Sequence, residues 1–299
     1  MSALPDLATR LQRLAPARSF ASNDARSAEL EALMARVARL RGRAREIARM
    51  RPRLDVASLG GRWVGEHLLC VERRYPLVCR HGDVPLRRLA QLRHDRGGLL
   101  GIEHALDPRR IVFLDTETNG LSGGSGTLAF MLGLAKLEEE LLVVRQYVLT
   151  RYSAEAAMLD RLAEELHGAA HVVTYNGKRF DVPLLQTRLR LHGRGDPFAA
   201  LPHIDLLHAL RRARRHRPEL GVLADCRLQT AEARLLRLER RDDLPGSEIP
   251  RAWERLLRDE DASLLAQALE HNRLDLLSLA ALLPALGDLA GTLLGAPAA

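Results

Sequence analysis

The 299-residue sequence holds three cysteines and two lysines, and its apolar runs are short. Cys70, Cys79 and Cys226 have neither the paired spacing of metal ligands nor the density of a disulfide framework, so a reducing cytoplasm is the expected location. No run approaches the roughly 20 apolar residues that a membrane helix needs, which excludes a membrane-spanning class. Met1 to Phe20 carries scattered arginines with no continuous apolar segment and no cleavage-site pattern, so no secretory signal is expected. Internal repeats are also lacking. A monomer is the simplest expectation.

What is present is a globular composition, 46% hydrophobic and 28% charged, with a net charge of +7. Lys136 and Lys178 aside, every basic residue other than histidine is arginine. Genomic composition explains such arginine, alanine and leucine usage, so total charge does not name a partner. Its distribution says more: residues 1–107 carry 20 basic and 12 acidic residues, and the remainder is close to neutral. A basic N-terminal portion beside an acid-bearing neutral one suits a polyanion such as nucleic acid.

The composition shifts divide the chain into an arginine-rich arm and helix (1–54), a small α+β lead-in (55–107), a main domain (108–287) and a flexible tail (288–299). The arm, residues 1–22, lacks a period. A helix is predicted over 24–50, with Asp24 as cap and Leu30, Leu33, Met34, Val37, Leu40 and Ile47 at helical spacing. Short strands are predicted at Trp63–Glu66, Leu68–Glu72 and Pro76–Cys79, with a turn at Arg73-Arg74, and then a helix over Leu86–Leu92. The sequence leaves open whether this lead-in stands alone or packs on the main domain.

The main domain is organised around Ile111-Val112-Phe113-Leu114-Asp115-Thr116-Glu117. Four apolar residues run into an acid, a threonine and a second acid, which reads as a buried strand. Alternation places Asp115 and Glu117 on one face, where two like charges are costly unless a cation neutralises them. Mg²⁺ or Mn²⁺, which prefer carboxylate oxygens, fit that description, and a strand ending in solvent with ordinary surface acids is the alternative. Asn119-Gly120-Leu121 begins a glycine-rich connection that allows close backbone approach to a ligand or simply links two strands. No Lys-Ser/Thr follows it, so it is not a P-loop. Strands over Thr127–Leu137 and Leu141–Thr150, a helix over Ala154–Leu166, a strand over His171–Tyr175 and a helix over Val182–His192 complete a β-β-β-α-β-α order. That order resembles a ribonuclease H type of mixed α/β sheet, three antiparallel strands and then β-α units, flanked by helices. Further helices are predicted from His203 to Arg217, over Thr230–Leu238, Ile249–Arg258 and Leu264–Leu286.

Two further acids are placed to join the pair. Asp181 follows a strand and opens a helix. Asp275 lies in the long C-terminal helix, four residues after His271 and so on the same face. Leu274, Leu277, Leu279 and Leu282 mark that helix as packed, which makes an ionised aspartate there expensive unless it is used. Singly, Asp181 reads equally as a helix-start residue and His271 as an ordinary core or surface histidine. Asp205 before an apolar helix reads as a cap, with a site role second. Tyr175 and Asn176 sit beside Asp181 and are candidates for nucleotide contact, Tyr175 also for a buried aromatic. Arg211 and Arg214, in the run Arg211–Arg217, are candidates for phosphate contact or for a solvated face.

Together, Asp115-Thr116-Glu117, Asp181 and Asp275 resemble the four-acid motif set of the DEDD, or DnaQ-like, exonucleases. The similarity is closer to the YprB-type ribonuclease H-like family. It is carried by Leu114–Gly120, Tyr175-Asn176-Gly177-Lys178-Arg179-Phe180-Asp181 with Pro183-Leu184-Leu185, and His203-Ile204-Asp205-Leu206-Leu207-His208. Leu228–Leu236, Asp243-Leu244-Pro245-Gly246 with Trp253, and His271-Asn272 through Asp275 extend it, and Tyr75-Pro76-Leu77 with His81-Gly82 resembles the family's lead-in. It covers about residues 110–286. The resemblance implies a metal-dependent 3′–5′ exonuclease on single-stranded nucleic acid ends. Asp115, Glu117, Asp181 and Asp275 would hold two divalent cations, Mg²⁺ or Mn²⁺, and His271 would serve as base. Thr116, Asn119, Gly120 and Leu121 would lie near the substrate. A structure-selective endonuclease and a catalytically weak nucleic-acid-binding protein are the alternatives. One departure stands out: the family carries a histidine five residues, or a tyrosine four residues, before the last acid, and here a histidine stands at the tyrosine spacing.

Overall fold

The computed structural model describes residues 31–37, 39, 55–92, 100–102, 106–120, 126–216, 223, 225–259 and 261–291. The chain divides into two units, Met1–Arg51 and Pro52–Ala299. In the first, residues 31–37 and 39 are helical, within the helix expected over 24–50, and Leu33, Met34 and Val37 are exposed. The expected arm over 1–22, the Asp24 cap and Leu121 all lie outside the described residues.

The second unit is built on strands β1 (Gly61–Gly65), β2 (Leu68–Pro76), β5 (Ile111–Thr118), β6 (Ala129–Glu138), β7 (Leu141–Leu149), β8 (His171–Thr174) and β9 (His203–Asp205). They form one sheet in the order β1-β2-β7-β6-β5-β8-β9. Strands β5, β6 and β7 are antiparallel, as short turns require, while β8 and β9 run parallel to β5. This is the mixed sheet expected from the sequence. The lead-in adds β1 and β2 to the β7 edge of the same sheet. A two-stranded hairpin, β3 (Arg80–His81) and β4 (Val84–Pro85), precedes helix α1 (Arg87–Gln91).

Helices cover both faces. On one side lie α2 (Glu155–Leu166), α3 (Asp181–Leu191), which buries Leu185 and Leu189, and α6 (Ile249–Asp259). Trp253 of α6 stacks on Phe130 at 5.3 Å and donates its indole N–H to the Leu149 carbonyl at 2.6 Å. On the other side lie α1, α4 (Leu206–His216) and most of the long α7 (Leu265–Gly291), whose Leu276 to Leu286 pack on Ile111 and Phe113. Between α4 and α6, a short helix α5 (Leu228–Ala231) runs into a π-helical turn, Glu232–Leu236.

Several local expectations are corrected. The predicted turn at Arg73-Arg74 is strand, because Glu72 to Pro76 pair residue by residue with Arg145 to Leu141 and Arg145 bonds Glu72 at 2.8 Å. The predicted strand Pro76–Cys79 is mainly a turn into β3. His203–Asp205, expected to open a helix, is the parallel edge strand β9, and α4 begins only after it. The helix predicted over 230–238 ends at Arg237, whose φ of +51° stops it. Helix α7 continues past the expected Leu286 to Gly291.

Candidate active site

Strand β5 is central. Its parallel pairing with β8 covers only Ile111 to Phe113, while pairing with β6 continues to Thr118. From Asp115 onward the sheet is therefore open on the β8 side, at the carboxyl end of a parallel strand, where α/β sheets form their crevices. The Thr116 N–H that faces this opening donates to Asp181 Oδ1 at 3.1 Å, and the Thr116 hydroxyl donates to the same oxygen at 2.5 Å. Asp181 thus fills the place of the missing strand partner and is anchored beside Asp115 and Glu117.

Asp275 arrives from α7 together with Asn272 and His271. Asn272 is fully buried and donates from Nδ2 to Asp115 Oδ2 at 2.7 Å, and its Oδ1 accepts from Gln146 Nε2 at 2.9 Å. Gln146 also donates to the Leu269 carbonyl at 2.7 Å. The register explains how the helix comes so close: Asp115, Gly133 and Gln146 are direct neighbours across β5, β6 and β7. A Cβ on Gly133 would stand 2.2 Å from Asn272 Oδ1, so only glycine leaves space for that side chain.

Asp275 itself is held by Arg240, whose Nη2 donates to Asp275 Oδ1. Nη1 of the same guanidinium reaches Asp243 Oδ2 at 3.1 Å, and Asp243 Oδ1 accepts from His271 Nδ1 at 2.8 Å. His271 Nε2 lies 3.7 Å from Asp275 Oδ2. Arg240, Asp275, His271 and Asp243 therefore close a ring. Because a carboxylate can only accept, Asp243 fixes the proton on Nδ1 and leaves Nε2 as the ring nitrogen on the Asp275 side.

The four acids lie close enough to perturb one another. Burial raises the Asp115 carboxyl well above the usual range, and the charges of Asp275, Glu117 and Asp181 add to it. Glu117 is raised by burial and then by Asp275 and Asp181. Burial lifts Asp275 although Arg240 and His271 oppose it, and burial pushes Asp181 up to about 6 against the Thr116 hydrogen bonds. Four crowded, part-buried carboxyls are the chemistry of a site for hard divalent cations. Among the described residues no three His, Cys, Asp or Glu side chains are gathered tightly enough to hold a metal ion by themselves. Thr116, Asn272 and Arg240 hold three of the carboxylates in their place. The donor set fits the expected cations; the closed two-cation cluster is not preformed among the described residues.

Two cavities meet at Asp115. One, of about 460 Å³, is lined by Asp115 and Asp275 together with Tyr175, Asn176, Arg211 and Arg227. The other, of about 670 Å³, is lined by Asp115, Thr116, Glu117, Gly120, Phe180 and Asp181 among others. The remaining expected residues divide by what holds them. Tyr175 gives its hydroxyl to the Cys226 carbonyl at 2.8 Å, and its ring lines the first cavity. Arg211 is exposed there, whereas Arg214 contacts Cys226 Sγ at 3.7 Å and does not line it. Asn119 bridges the two ends of the glycine-rich connection, bonding the Gly126 carbonyl at 3.3 Å and the Leu128 N–H at 2.9 Å. Asp205 has both oxygens occupied, by the N–H groups of Asn176, Lys178 and Leu207 at 2.8, 3.1 and 3.1 Å. It caps α4 and ties down the left-handed turn at Asn176, φ +65°, which leads to Asp181.

Sequence reasoning missed Asn272, Gln146, Gly133, Arg240, Asp243 and Glu232 as working parts. Asn272 had a signal, an amide adjacent to His271 in a packed helix. Arg240 had none, since nothing in Arg240-Arg241-Asp242-Asp243 distinguishes the buried arginine from its neighbour.

Residues 112–286 match the family described as the RNase_H superfamily. Over 225 residues the chain is 34% identical to the uncharacterized protein YprB of Bacillus subtilis (strain 168), covering 73% of this chain and 52% of that one. The chain thus spans about half the length of that curated relative. Among solved structures, the family B DNA polymerase of the hyperthermophilic archaeon Pyrobaculum calidifontis aligns with a TM-score of 0.44 at 13% identity, covering 80% of this chain and 34% of that chain. No helix among the described residues is long and apolar enough to cross a membrane. Fold, motif order and family match converge: the chain belongs to the RNase H superfamily, in its YprB-type branch.

Proposed function

We propose that the chain is a divalent-metal-dependent nuclease that hydrolyses nucleic acid phosphodiesters, acting as a 3′–5′ exonuclease on single-stranded ends. The observation that carries this reading is the meeting of Asp115, Glu117, Asp181 and Asp275 at the open end of β5, beside His271, whose Nδ1 is bonded to Asp243 and whose Nε2 faces Asp275. Asp115, Glu117, Asp181 and Asp275 are the residues that would hold Mg²⁺ or Mn²⁺. When bound, such cations supply Lewis acidity to the phosphate and leaving oxygen and acidify water near neutral pH. The side chains do the rest. Thr116 and Asn272 fix the angles of Asp181 and Asp115. Asp243 holds the His271 tautomer, so that Nε2 takes the proton of the attacking water. Arg211 and Asn176, on the wall of the smaller cavity, bind the phosphates of the incoming strand. End-directed action rests on the family resemblance, and so does the 3′–5′ direction.

The test is incubation of the purified protein with end-labelled linear and with circular DNA and RNA, in Mn²⁺ and in EDTA. Degradation of linear substrate only, lost in EDTA and in Asp115→Asn, is the expected result. Cleavage of circles would make the enzyme an endonuclease, and binding without metal-dependent cleavage would remove the enzymatic reading.

A further inference from the structure

We propose that His81, Ser278 and Glu232 form a buried positioning relay which, through Arg240, sets Asp275 and His271 from the β3–β4 hairpin. The proposal rests on the nuclease reading for its functional sense but not for its geometry. His81 sits at the hairpin, 6% exposed, and Ser278 and Glu232 are fully buried. Ser278 Oγ donates to Glu232 Oε1 at 2.5 Å and lies 2.7 Å from His81 Nε2. A hydroxyl has one proton, so His81 Nε2 is the donor into the serine oxygen. Glu232 also takes two bonds from Arg240, at 2.8 Å to Oε2 and 2.5 Å to Oε1. The direction of every bond is thus determined, from His81 to Ser278 to Glu232, and from Arg240 to Glu232, Asp275 and Asp243. Asp243 then accepts from His271.

The backbone carries the same link. Glu232 opens the π-helical turn, a form that concentrates at functional positions. The last carbonyl of that turn, Leu236, accepts from Asp83 N at 2.6 Å. Gly82, at φ +57°, brings its Cα so close that a Cβ would stand 2.1 Å from the same carbonyl oxygen. Hairpin and turn are therefore seated on each other at both backbone and side-chain level.

Stability alone is a poor account of this chain. A buried ion pair is often no more stabilising than apolar residues of the same volume, while loss of one member leaves an unpaired buried charge. What the relay supplies is a fixed place for one guanidinium: Glu232 holds two of its three nitrogens, and Nη2 and Nη1 are thereby aimed at Asp275 and Asp243. None of His81, Ser278 and Glu232 touches the cavities beside Asp115, so they are positioning residues.

The experiment uses the full chain with Glu232→Gln, Ser278→Ala and Ser278→Thr. Each is examined by steady-state hydrolysis of end-labelled single strands in Mn²⁺, by long-range ¹H–¹⁵N spectra of the histidine rings, and by thermal melting. Glu232→Gln is expected to lower kcat about 10–100-fold, the usual effect of removing a partner behind a metal ligand, with KM nearly unchanged. It is also expected to shift the ring nitrogens of His271, although Glu232 does not touch that residue. Ser278→Ala should act in the same direction and more weakly, and Ser278→Thr, which keeps the hydroxyl, should restore wild-type behaviour. If Glu232→Gln does not fold, Ser278→Ala, which removes no charge, decides by the same readouts. Unchanged His271 spectra in folded variants overturn the relay whether or not the protein is active. Shifted His271 spectra in the variants, with a wild type that hydrolyses nothing, keep the relay and overturn the nuclease reading.

Discussion

The close approach of α7 to β6 at Gly133 makes a quantitative prediction. In Gly133→Ala the new Cβ would lie 2.2 Å from Asn272 Oδ1 and 2.8 Å from both Cγ and Nδ2. Asn272 cannot yield at its tip, because the amide is fully buried and both ends are bonded, to Gln146 and to Asp115. Helix or strand must move, and overpacking of this kind costs about 1–3 kcal/mol. If the amide is expelled, its hydrogen bond to the Asp115 carboxylate goes too, for about 1.5–3 kcal/mol more. A loss of about 1–3 kcal/mol if the amide stays, or about 2.5–6 kcal/mol if it is expelled, is expected, read as the urea midpoint by circular dichroism, together with a fall in metal-dependent hydrolysis. The cause is isolated by a double-mutant cycle with Asn272→Ala. In that background the obstructing amide is gone, the glycine φ is not left-handed, and Gly133→Ala should be neutral or stabilising by about 0.4–1 kcal/mol through the unfolded chain. If instead the two substitutions add, the obstruction is not Asn272 and the account of the β6–α7 contact is wrong.

Other outcomes follow from single groups. Burial, reinforced by Arg240 and Arg273, lowers His81 to about 4, so its folded form binds a proton less readily than the unfolded chain does. Its contribution is complete above about pH 6.5 and is lost as pH falls towards 4, by up to about 3 kcal/mol. The difference in stability between wild type and His81→Gln, measured by urea melts from pH 7.5 to 4.5, should shrink over that window, and a constant difference would count against a buried neutral His81. Asp205→Asn replaces an acceptor for three N–H groups by a side chain with one oxygen, and a loss of about 1–3 kcal/mol in thermal melts is expected. Arg211→Glu should weaken single-strand binding and make its salt dependence shallower by about one unit of slope, with an unchanged melting midpoint. An unaltered slope would place the phosphates elsewhere.

What the sequence disclosed, and what it withheld, follows from range. Ile111–Glu117 was readable because a four-residue apolar run and an alternating acid pair are local facts, and Asp275 because a packed helix tolerates a carboxylate poorly. The four expected acids are brought together around β5. His203–Asp205 was misread since three residues carry no period; only pairing with β8 makes them a strand. Arg73-Arg74 reads as a turn because two adjacent charges carry no strand pattern; Arg74 pairs with Glu72 of its own strand and Arg73 reaches only the neutral Gln146 of β7. Asn272 and Arg240 escaped attention for the same reason: their partners are 157 and 35 residues away in sequence, and no local pattern marks a polar side chain that is buried with its bonds satisfied.

Helix α7 has a temporal consequence. It is the last described element, yet it brings Asp275, His271 and Asn272 to a strand that begins at residue 111. A chain emerging from the ribosome makes the whole sheet before that helix exists, and long-range contacts of this kind form late. Until α7 docks over Gly133, Asp115 has no amide to orient it and no fourth carboxylate opposite. The nascent chain thus holds three of the four acids long before the last, and the cluster is assembled only at the moment folding closes.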